Sequence, residues 1–351
     1  TKYIEKLAAE HFPDGVPPTA QQNKVPCDRD LPAVVNLAVL ANATPDAGLL
    51  RNYQSICGAL LYASTNTRPD IAFATGMLCR AMGRPTPELL EAAKRVLGYL
   101  YRTRHIGLRY EASAAQLEGF SDSDWGVKHS TSGHTFHLGS ATISWASKKQ
   151  ASVALSSCEA EIMAGSEAAK EAIYLSAFLR ELGFDMSEPP PLRMDNKSAI
   201  DLAYNPEHHA RTKHIDRRHY FIRECVENGR LRVPFVATAE NIADFFTKPL
   251  MGKDFFRMRD RVMNVPQSHT DSGPALLAKK LKRPRKHWSR TVFAHPLRRG
   301  GKSDAIAYLA SMKADYDYTV LHGPDSAHEV GASHYLSRGP VWQQYIDEWR
   351  P

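Results

Sequence analysis

The chain has 351 residues, enough for two or three domains, and 43% of them are apolar. No stretch approaches the roughly 18 uncharged apolar residues that a membrane span needs, and the N-terminus lacks the layout of a signal peptide, so membrane and secreted classes are excluded. Five cysteines without a C-x-x-C pair argue against a disulfide framework and a zinc knuckle. Because the chain begins with Thr1 rather than methionine, we expect a fragment of a longer protein.

The net charge of +7 is concentrated in one segment of the chain. Between Ser272 and Ser303 lie ten Lys or Arg residues and no acidic residue, and the rest of the chain is slightly acidic. Such a segment is typical of phosphate contact or nuclear import, but also of a solvated linker without a fixed partner. The sequence leaves both interpretations open.

The first part of the chain is predicted to be mainly helical. Residues 1–50 are weakly periodic and indicate only short pieces of structure. Apolar residues at helical spacing predict a helix from Tyr53 and another that opens at Pro69. A third is predicted from Thr86 as N-cap, with Pro87 at the first helical position.

From Leu108 onward the pattern changes to strands and then to alternating helices and strands. The predicted strands are 117–122, 135–138, 142–147, 191–195 and 231–236. The predicted helices are 156–182, 196–204, 212–228 and 239–248. A meander of three strands followed by α, β, α, β, α predicts an α/β fold with one mixed five-stranded sheet and flanking helices.

Four carboxylates occupy suggestive positions on this scaffold. Asp122 and Asp195 end predicted strands, Glu161 lies in the first turns of the long helix, and Asp244 lies in the last helix. Side chains at the carboxyl ends of strands emerge where open α/β sheets bind ligands. Four oxygen donors gathered there could hold two divalent cations about 4 Å apart for phosphoryl transfer. The alternative is that each strand-end aspartate only forms a turn or caps a helix.

Seven ordered motifs give the chain a resemblance to a known family. They are Gly-Phe-Ser-Asp-Ser-Asp-Trp at 119–125, Ser-Thr-Ser-Gly at 130–133, Ile-Ser-Trp-Ala-Ser-Lys-Lys-Gln at 143–150, Val-Ala-Leu-Ser-Ser-Cys-Glu-Ala-Glu at 153–161, Met-Asp-Asn at 194–196, Arg-Thr-Lys-His-Ile-Asp at 211–216 and Ala-Asp-Phe-Phe-Thr-Lys-Pro-Leu at 243–250. Together they resemble the ribonuclease H domain of copia-type retrotransposon Pol polyproteins. The spacing between the first two motifs is about four residues shorter than is usual in that family.

The resemblance extends upstream and implies a domain organisation. The motifs at 53–56 and 65–72 are similar to the segment that follows the polymerase palm in the same polyproteins. It implies a mainly helical post-palm segment at 1–112, a ribonuclease H-like domain at 113–250 and a basic linker with an unassigned tail at 251–351. The chain contains no Tyr-x-Asp-Asp motif, so it is not expected to polymerise DNA by itself.

The resemblance also implies the site residues. Asp122, Glu161, Asp195 and Asp244 match the catalytic carboxylates that bind two Mg²⁺ ions in the family, and Mn²⁺ is the alternative ion. Asp124 is on the same strand face as Asp122 if the strand continues, so it competes with Asp122 for the role of ligand.

A basic, histidine-rich helix is the predicted nucleic-acid contact. Its residues are Arg211, Lys213, His214, Arg217 and Arg218. We interpret these residues as a helix that lies along the backbone of an RNA/DNA hybrid. The alternative is a basic helix face that is only solvated. A zinc site is disfavoured because the spacing of the histidines around Cys225 fits no closed ligand set.

The function implied by the resemblance is metal-dependent cleavage of the RNA strand of RNA/DNA hybrids during reverse transcription. The expected partners are the hybrid and the remainder of the Pol polyprotein, namely the polymerase palm and the integrase, and no membrane. The expected location is the cytoplasmic virus-like particle, with a nuclear location left open. The competing class is a catalytically decayed remnant that acts at most as a nucleic-acid-binding protein.

Overall fold

The computed structural model describes residues 1–17, 24–111, 116–126, 129–204 and 216–266, and the side chains of all of these except 216–220. Five helices form its first part: α1 Lys2–His11, α2 Leu31–Ala41, α3 Ala47–Asn66, α4 Ala72–Cys79 and α5 Pro87–Arg102. A short 3₁₀ helix, Pro69–Ile71, precedes α4. The mainly helical first part is therefore confirmed.

The starts of two of these helices follow from their caps. Thr86 Oγ1 accepts a hydrogen bond from Leu89 N at 3.3 Å and Pro87 opens α5, as predicted. Helix α3 begins at Ala47, earlier than Tyr53, because Asp46 Oδ2 accepts hydrogen bonds from the next amides, including Leu49 N at 3.0 Å. An apolar stripe marks the middle of a helix, whereas the cap fixes its start.

One mixed sheet follows the helices. Its strands are β1 Leu117–Asp124, β2 Thr131–Leu138, β3 Ala141–Lys149 and β4 Leu192–Arg193. The strand order is β3-β2-β1-β4; β1, β2 and β3 pair antiparallel, and β4 lies parallel to β1. The helices that follow the meander are α6 Ser157–Glu181, α7 Lys197–Tyr204, α8 Asp216–Glu227 and α9 Gly252–Met263. The predicted α/β class, a mixed sheet with flanking helices behind a helical segment, is confirmed.

The fifth strand differs from the prediction. Residues 231–236 run parallel to β4 but pair through only two isolated bridges, Pro191 with Arg232 and Met194 with Phe235. The described sheet therefore has four continuous strands rather than five. Proline has no backbone N–H to donate, and Pro234 stands between the two bridges on the edge that faces β4, so the ladder is interrupted there.

The long helix α6 begins and ends as predicted. Ser156 caps it by accepting a hydrogen bond from Glu159 N at 3.1 Å, and Gly183 follows its last turn with a φ of +81°. Along the part of the chain covered by the structure, no helix combines the length and the apolar character needed to cross a membrane.

Two large hydrophobic clusters lie against the sheet. Phe120 of β1 belongs to the cluster that includes α1 to α5, whereas Leu117 of the same strand belongs to the cluster with α6, α7 and α8. Residues an odd number apart on a strand point to opposite faces, so the clusters cover opposite sides of the sheet. Trp145 of β3 joins the first cluster, and its indole Nε1 donates to Ser64 O at 2.8 Å.

The folded part extends beyond Leu250, where the sequence predicted a linker and tail. Helix α9 packs on the first cluster through Phe255, Met258 and Val262, and Thr142 Oγ1 donates to Val262 O at 2.8 Å. These apolar residues repeat at helical spacing. The basic segment 272–303 lies outside the described residues. The division into three domains stays a prediction.

Candidate active site

Two of the four predicted carboxylates follow neighbouring parallel strands. In the register of β1 and β4, Phe120 pairs with Arg193, so Asp122 and Asp195 each lie two residues beyond the paired position. Asp122 is buried within β1, which continues to Asp124, and Asp195 is half-buried just after β4. The parallel pairing brings their carboxylates to the same end of the sheet.

Helix α6 adds a third carboxylate to this end. The helix packs across β1, and Glu161 Oε1 accepts a hydrogen bond from Ser123 N at 3.3 Å. Asp122, Glu161 and Asp195 each place one carboxylate oxygen within 4.8 Å of the others. The structure therefore brings three of the four predicted residues into one cluster.

Asp244 is placed beside this cluster through a lysine. It lies on the 3₁₀ helix Ile242–Phe246, where the sequence predicted a short helix from Ala239. Lys248 Nζ lies 2.7 Å from Asp244 Oδ1 and 3.5 Å from Asp122 Oδ2. The Thr247 hydroxyl donates to Asp122 Oδ2. Asp244 is thus linked to Asp122 through the ammonium group of Lys248 and is not a member of the three-residue group.

Local contacts explain why this 3₁₀ helix lies against the sheet. Asn241 caps it by accepting from Ala243 N at 3.2 Å, and its Nδ2 donates to Ser121 O of β1 at 3.1 Å. Gly133 of β2 is opposite Asp122 in the sheet register, and a Cβ there would come within 2.6 Å of Thr247 Cγ2. Only glycine allows Thr247 to approach closely enough to bind Asp122.

The electrostatics of the cluster favour a bound cation. Burial, together with the charges of Asp122 and Asp195, raises the pKa of Glu161 to about 8. Burial and the charge of Asp122 raise the pKa of Asp244 to about 7. Burial opposes the charged form of Lys248, but the surrounding carboxylates offset this and raise the pKa of its ammonium group. Crowded carboxylates with raised pKa values become easier to ionise when positive charge binds among them.

A buried oxygen atom of Glu161 without a hydrogen-bond partner bears on whether these residues fit a divalent metal. Glu161 Oε2 is buried, and no hydrogen-bond partner for it exists among the residues that the structure describes. A buried carboxylate oxygen without a partner is costly unless something occupies its lone pairs. The other two members of the group, Asp122 and Asp195, are also carboxylates, which are ligands that hard divalent cations prefer. The donor set therefore fits a metal of this kind.

Asp124, the competitor of Asp122, is not in the three-residue group. Asp124 is half-buried at the end of β1, and burial raises its pKa while Lys248 and Arg80 lower it. Arg80, just after α4, donates from Nη2 to Thr131 Oγ1 at 2.9 Å. The helical segment thus supplies a positive charge near the strand end, and Asp122 has the better position for a ligand.

The predicted nucleic-acid contacts lie outside the described side chains. Arg211, Lys213 and His214 belong to a segment outside the described residues. Arg217 and Arg218 are within α8, but their side chains are not described. Their role in binding stays a prediction.

Sequence reasoning missed the residues that position Asp122. Thr247 and Lys248 stand in the motif at 243–250, but the only residue singled out there was Asp244. One signal was available, because Asp244 and Lys248 have the i,i+4 spacing of a helical ion pair. The bond from Thr247 to Asp122 joins residues far apart in sequence and had no local signal.

The raised pKa of Glu161 leads to a prediction on stability. A carboxyl group whose pKa rises on folding contributes stability that is full below its unfolded value near 4.5 and is lost as the pH rises towards about 8. Glu161→Gln removes this loss. In chelator the variant is therefore expected to lose about 3–4 kcal/mol less stability than the wild type between pH 5 and pH 8. Urea unfolding at both pH values measures the difference. Glu181→Gln, at an exposed position on the same helix, is the control, and equal pH dependence of the Glu161 variant and the wild type would contradict the prediction.

Comparisons with known proteins find relatives among the retrovirus-related Pol polyproteins. No protein-family model matches the chain. The retrovirus-related Pol polyprotein from transposon TNT 1-94 of Nicotiana tabacum is 44% identical over 200 residues, 56% of this chain and 15% of the relative. The Pol polyprotein from transposon RE1 of Arabidopsis thaliana is 40% identical over 223 residues, 62% of this chain and 15% of the relative. The chain thus spans 15% of the length of these relatives.

Two further likenesses are more limited. The secreted RxLR effector protein 161 of Plasmopara viticola is 46% identical over 133 residues, 36% of this chain and 94% of that protein. The N-terminal ribonuclease H domain of rv2228c from Mycobacterium tuberculosis matches with a TM-score of 0.28 and 14% identity, over 37% of this chain and 88% of that chain. A likeness this weak supports no conclusion about function.

The strand order and the buried carboxylates define a class, an α/β protein with one mixed sheet and an acidic cluster at the end of that sheet. Within that class, the chain is similar, over 56–62% of its length, to retrovirus-related Pol polyproteins of transposons.

Proposed function

We propose that this chain is a metal-dependent endonuclease that cleaves the RNA strand of RNA/DNA hybrids during retrotransposon reverse transcription. The observation that carries the proposal is the cluster of Asp122, Glu161 and Asp195 at one end of the sheet. The similarity to Pol polyproteins of retrotransposons supports it, because reverse transcription produces such hybrids. The absence of a Tyr-x-Asp-Asp motif fits a ribonuclease rather than a polymerase role for this chain.

Four carboxylates would hold the metal ions, which we propose to be two Mg²⁺, with Mn²⁺ as the alternative. Asp122, Glu161, Asp195 and Asp244 are the ligands in this proposal, and they are also the catalytic residues. Bound metal supplies charge stabilisation and a deprotonated water for hydrolysis. Thr247 orients the Asp122 carboxylate through its hydrogen bond, and the Lys248 ammonium group lies between the carboxylates of Asp122 and Asp244.

The proposed partners follow from the family. The hybrid is the substrate in this proposal. Its phosphates are proposed to be contacted by five basic residues, Arg211, Lys213, His214, Arg217 and Arg218, since basic side chains supply most non-specific affinity for nucleic acid. The polymerase palm and the integrase of the same polyprotein are the proposed protein partners. The proposed place of action is the cytoplasmic virus-like particle, with nuclear entry open.

A cleavage assay tests the proposal directly. An RNA strand labelled at its 5′ end is annealed to DNA and incubated with the chain in Mg²⁺, in Mn²⁺ and in excess chelator. We expect cleavage of the RNA strand with either metal and a loss of at least about a thousandfold in chelator, since metal contributes several kcal/mol to such reactions. Duplex DNA and duplex RNA should stay intact. Binding of the hybrid without cleavage in any metal would favour the decayed remnant.

A further inference from the structure

An exposed apolar surface lies next to the acidic cluster. Trp125 is 56% exposed, Val153 is 48% exposed and Leu155 is 70% exposed. Trp125 directly follows Asp124 at the end of β1, and the other two lie in the loop before α6, which carries Glu161. We call these three residues the ledge. Large exposed apolar side chains grouped at one place commonly mark a binding surface.

Hydrogen bonds hold the ledge in a fixed conformation. Trp125 Nε1 donates to Ala154 O at 3.2 Å, which joins the strand end to the loop. Leu155 N donates to Glu159 Oε2 at 2.6 Å. Ala154 itself is buried in a small cluster with Ala160 and Met163. Val153 and Leu155, on either side of Ala154, are therefore exposed on a loop whose backbone is held in place by these contacts.

The loop that carries the ledge crosses the end of the sheet. It leaves β3 at Gln150, whose Nε2 donates to Ser132 Oγ at 2.9 Å and to Ala160 O at 2.9 Å. It then reaches Trp125 beyond the end of β1. The ledge and the acidic cluster thus lie at the same end of the sheet.

An exposed lysine lies at this end as well. Lys149 is the last residue of β3 and is opposite Thr131, which is in turn opposite Asp124, so its side chain is on the same face of the sheet as Asp124. Neighbouring strands are about 4.8 Å apart, so Lys149 lies about 10 Å across the sheet from Asp124. Apolar surface, positive charge and the acidic cluster therefore adjoin one another.

We propose that the ledge, with Lys149, holds the nucleic-acid strand next to the acidic cluster. The apolar side chains contact sugar and base faces, and Lys149 contacts a phosphate. This inference rests on the proposed function and names the surface that positions its substrate. A tryptophan whose N–H is already bonded offers a ring face but no donor, which suits contact that is independent of base sequence. The adjoining positive charge complements the phosphate backbone.

Binding of a labelled RNA/DNA hybrid to the full chain tests the ledge without catalysis. Fluorescence anisotropy is measured in chelator over a series of salt concentrations. Trp125→Ala is expected to raise Kd about tenfold, as loss of aromatic contact does for single strands, without changing the salt dependence. Trp125→Phe should keep most of the affinity because it keeps a ring. Lys149→Ala should flatten the slope of log K against log salt by about 0.7–0.9, the change expected for one lost phosphate contact.

Matched variants elsewhere on the chain separate the ledge from general effects. Leu155→Ala is compared with Leu40→Ala on α2, where the leucine is 71% exposed. Lys149→Ala is compared with Lys253→Ala on α9, where the lysine is also exposed. The two control variants should bind like the wild type. A thermal melt of each variant checks that the fold is kept.

Three results would overturn the inference. The first is that Trp125→Ala binds the hybrid as the wild type does. The second is that the control variants weaken binding equally. The third is that Trp125→Ala changes the sedimentation coefficient while hybrid binding is unchanged, which would make the ledge a protein-docking surface. Failure of the proposed function looks different, because then the wild-type chain does not cleave the hybrid in Mg²⁺, whatever the ledge variants bind.

Discussion

Replacing Asp195 by asparagine is expected to reduce hybrid cleavage by at least about a thousandfold while the fold persists. Asparagine keeps the shape of the side chain but removes one negative charge from the three-carboxylate cluster. Asp195 is only half-buried after β4, so the change should not disturb the core. Single-turnover cleavage in Mg²⁺ measures the loss, and far-UV circular dichroism with a thermal melt shows that the protein is folded.

A matched substitution separates this effect from a general loss of negative charge. Asp201→Asn makes the same chemical change at an exposed position on α7, the helix that follows Asp195. Its cleavage rate should equal that of the wild type. Cleavage by Asp195→Asn within a fewfold of the wild-type rate would refute a metal role for Asp195, and unfolding of that variant would move the test to Asp122→Asn.

The positions of Asp122, Glu161 and Asp195 could be predicted because each depends on local structure. Asp122 lies near the end of β1 and Asp195 lies just after β4, so the two strands fix their positions. The Ser156 cap fixes where Glu161 lies along α6. Once β1 and β4 are parallel neighbours, the three must lie at the same end of the sheet. Their proximity follows from the topology that the alternation of strands and helices indicated.

The residues that support the cluster could not be predicted in this way. Thr247 meets Asp122, Arg80 meets Thr131, and Trp145 meets Ser64 across long stretches of sequence. Periodicity shows which face of an element is apolar but not which other element covers it. Helix α9 was missed for a related reason, because Leu250 ends the recognisable motifs although the apolar stripe of α9 continues the same core.

The packing joins the helical segment to the site. Ile242, Phe245 and Phe246, which flank Asp244, are buried in the same cluster as α3, α4 and α5. Phe255 of α9 meets Tyr99 of α5 edge to face, with 5.8 Å between ring centroids. The position of Asp244 and Lys248 therefore depends on helices that precede the sheet, and the segment before residue 113 is part of the scaffold of the site.

A buried ion pair in that segment provides the sharpest test of this dependence. Arg68 and Asp70 are both buried and joined by two hydrogen bonds, Nε to Oδ1 at 2.8 Å and Nη2 to Oδ2 at 2.7 Å. Tyr99 Oη donates to Asp70 Oδ2 at 2.6 Å. Burial alone would raise the pKa of Asp70, but Arg68 and Tyr99 lower it. The stability from the pair is therefore present at neutral pH and is lost as the pH falls below about 4.

Arg68→Met is expected to lower the free energy of unfolding by about 3–5 kcal/mol, because it leaves the Asp70 carboxylate buried without its cation. Urea unfolding at pH 7 measures the change. Lys94→Met removes an exposed pair with Glu91 and should cost less than about 1 kcal/mol. Arg68→Met combined with Asp70→Leu and Tyr99→Phe should recover much of the loss, since an apolar set removes the uncompensated charge.

The same variant tests whether the helical segment and the site unfold together. Because residues flanking Asp244 share the cluster of α3, α4 and α5, Arg68→Met should lose hybrid cleavage over the same temperature range in which its circular dichroism changes, well below the wild-type midpoint. Cleavage that persists after the first helices unfold would show that the sheet and its carboxylates fold independently. In that case the contacts of Trp145 and the 3₁₀ helix with the helical segment would be dispensable for the geometry of the cluster.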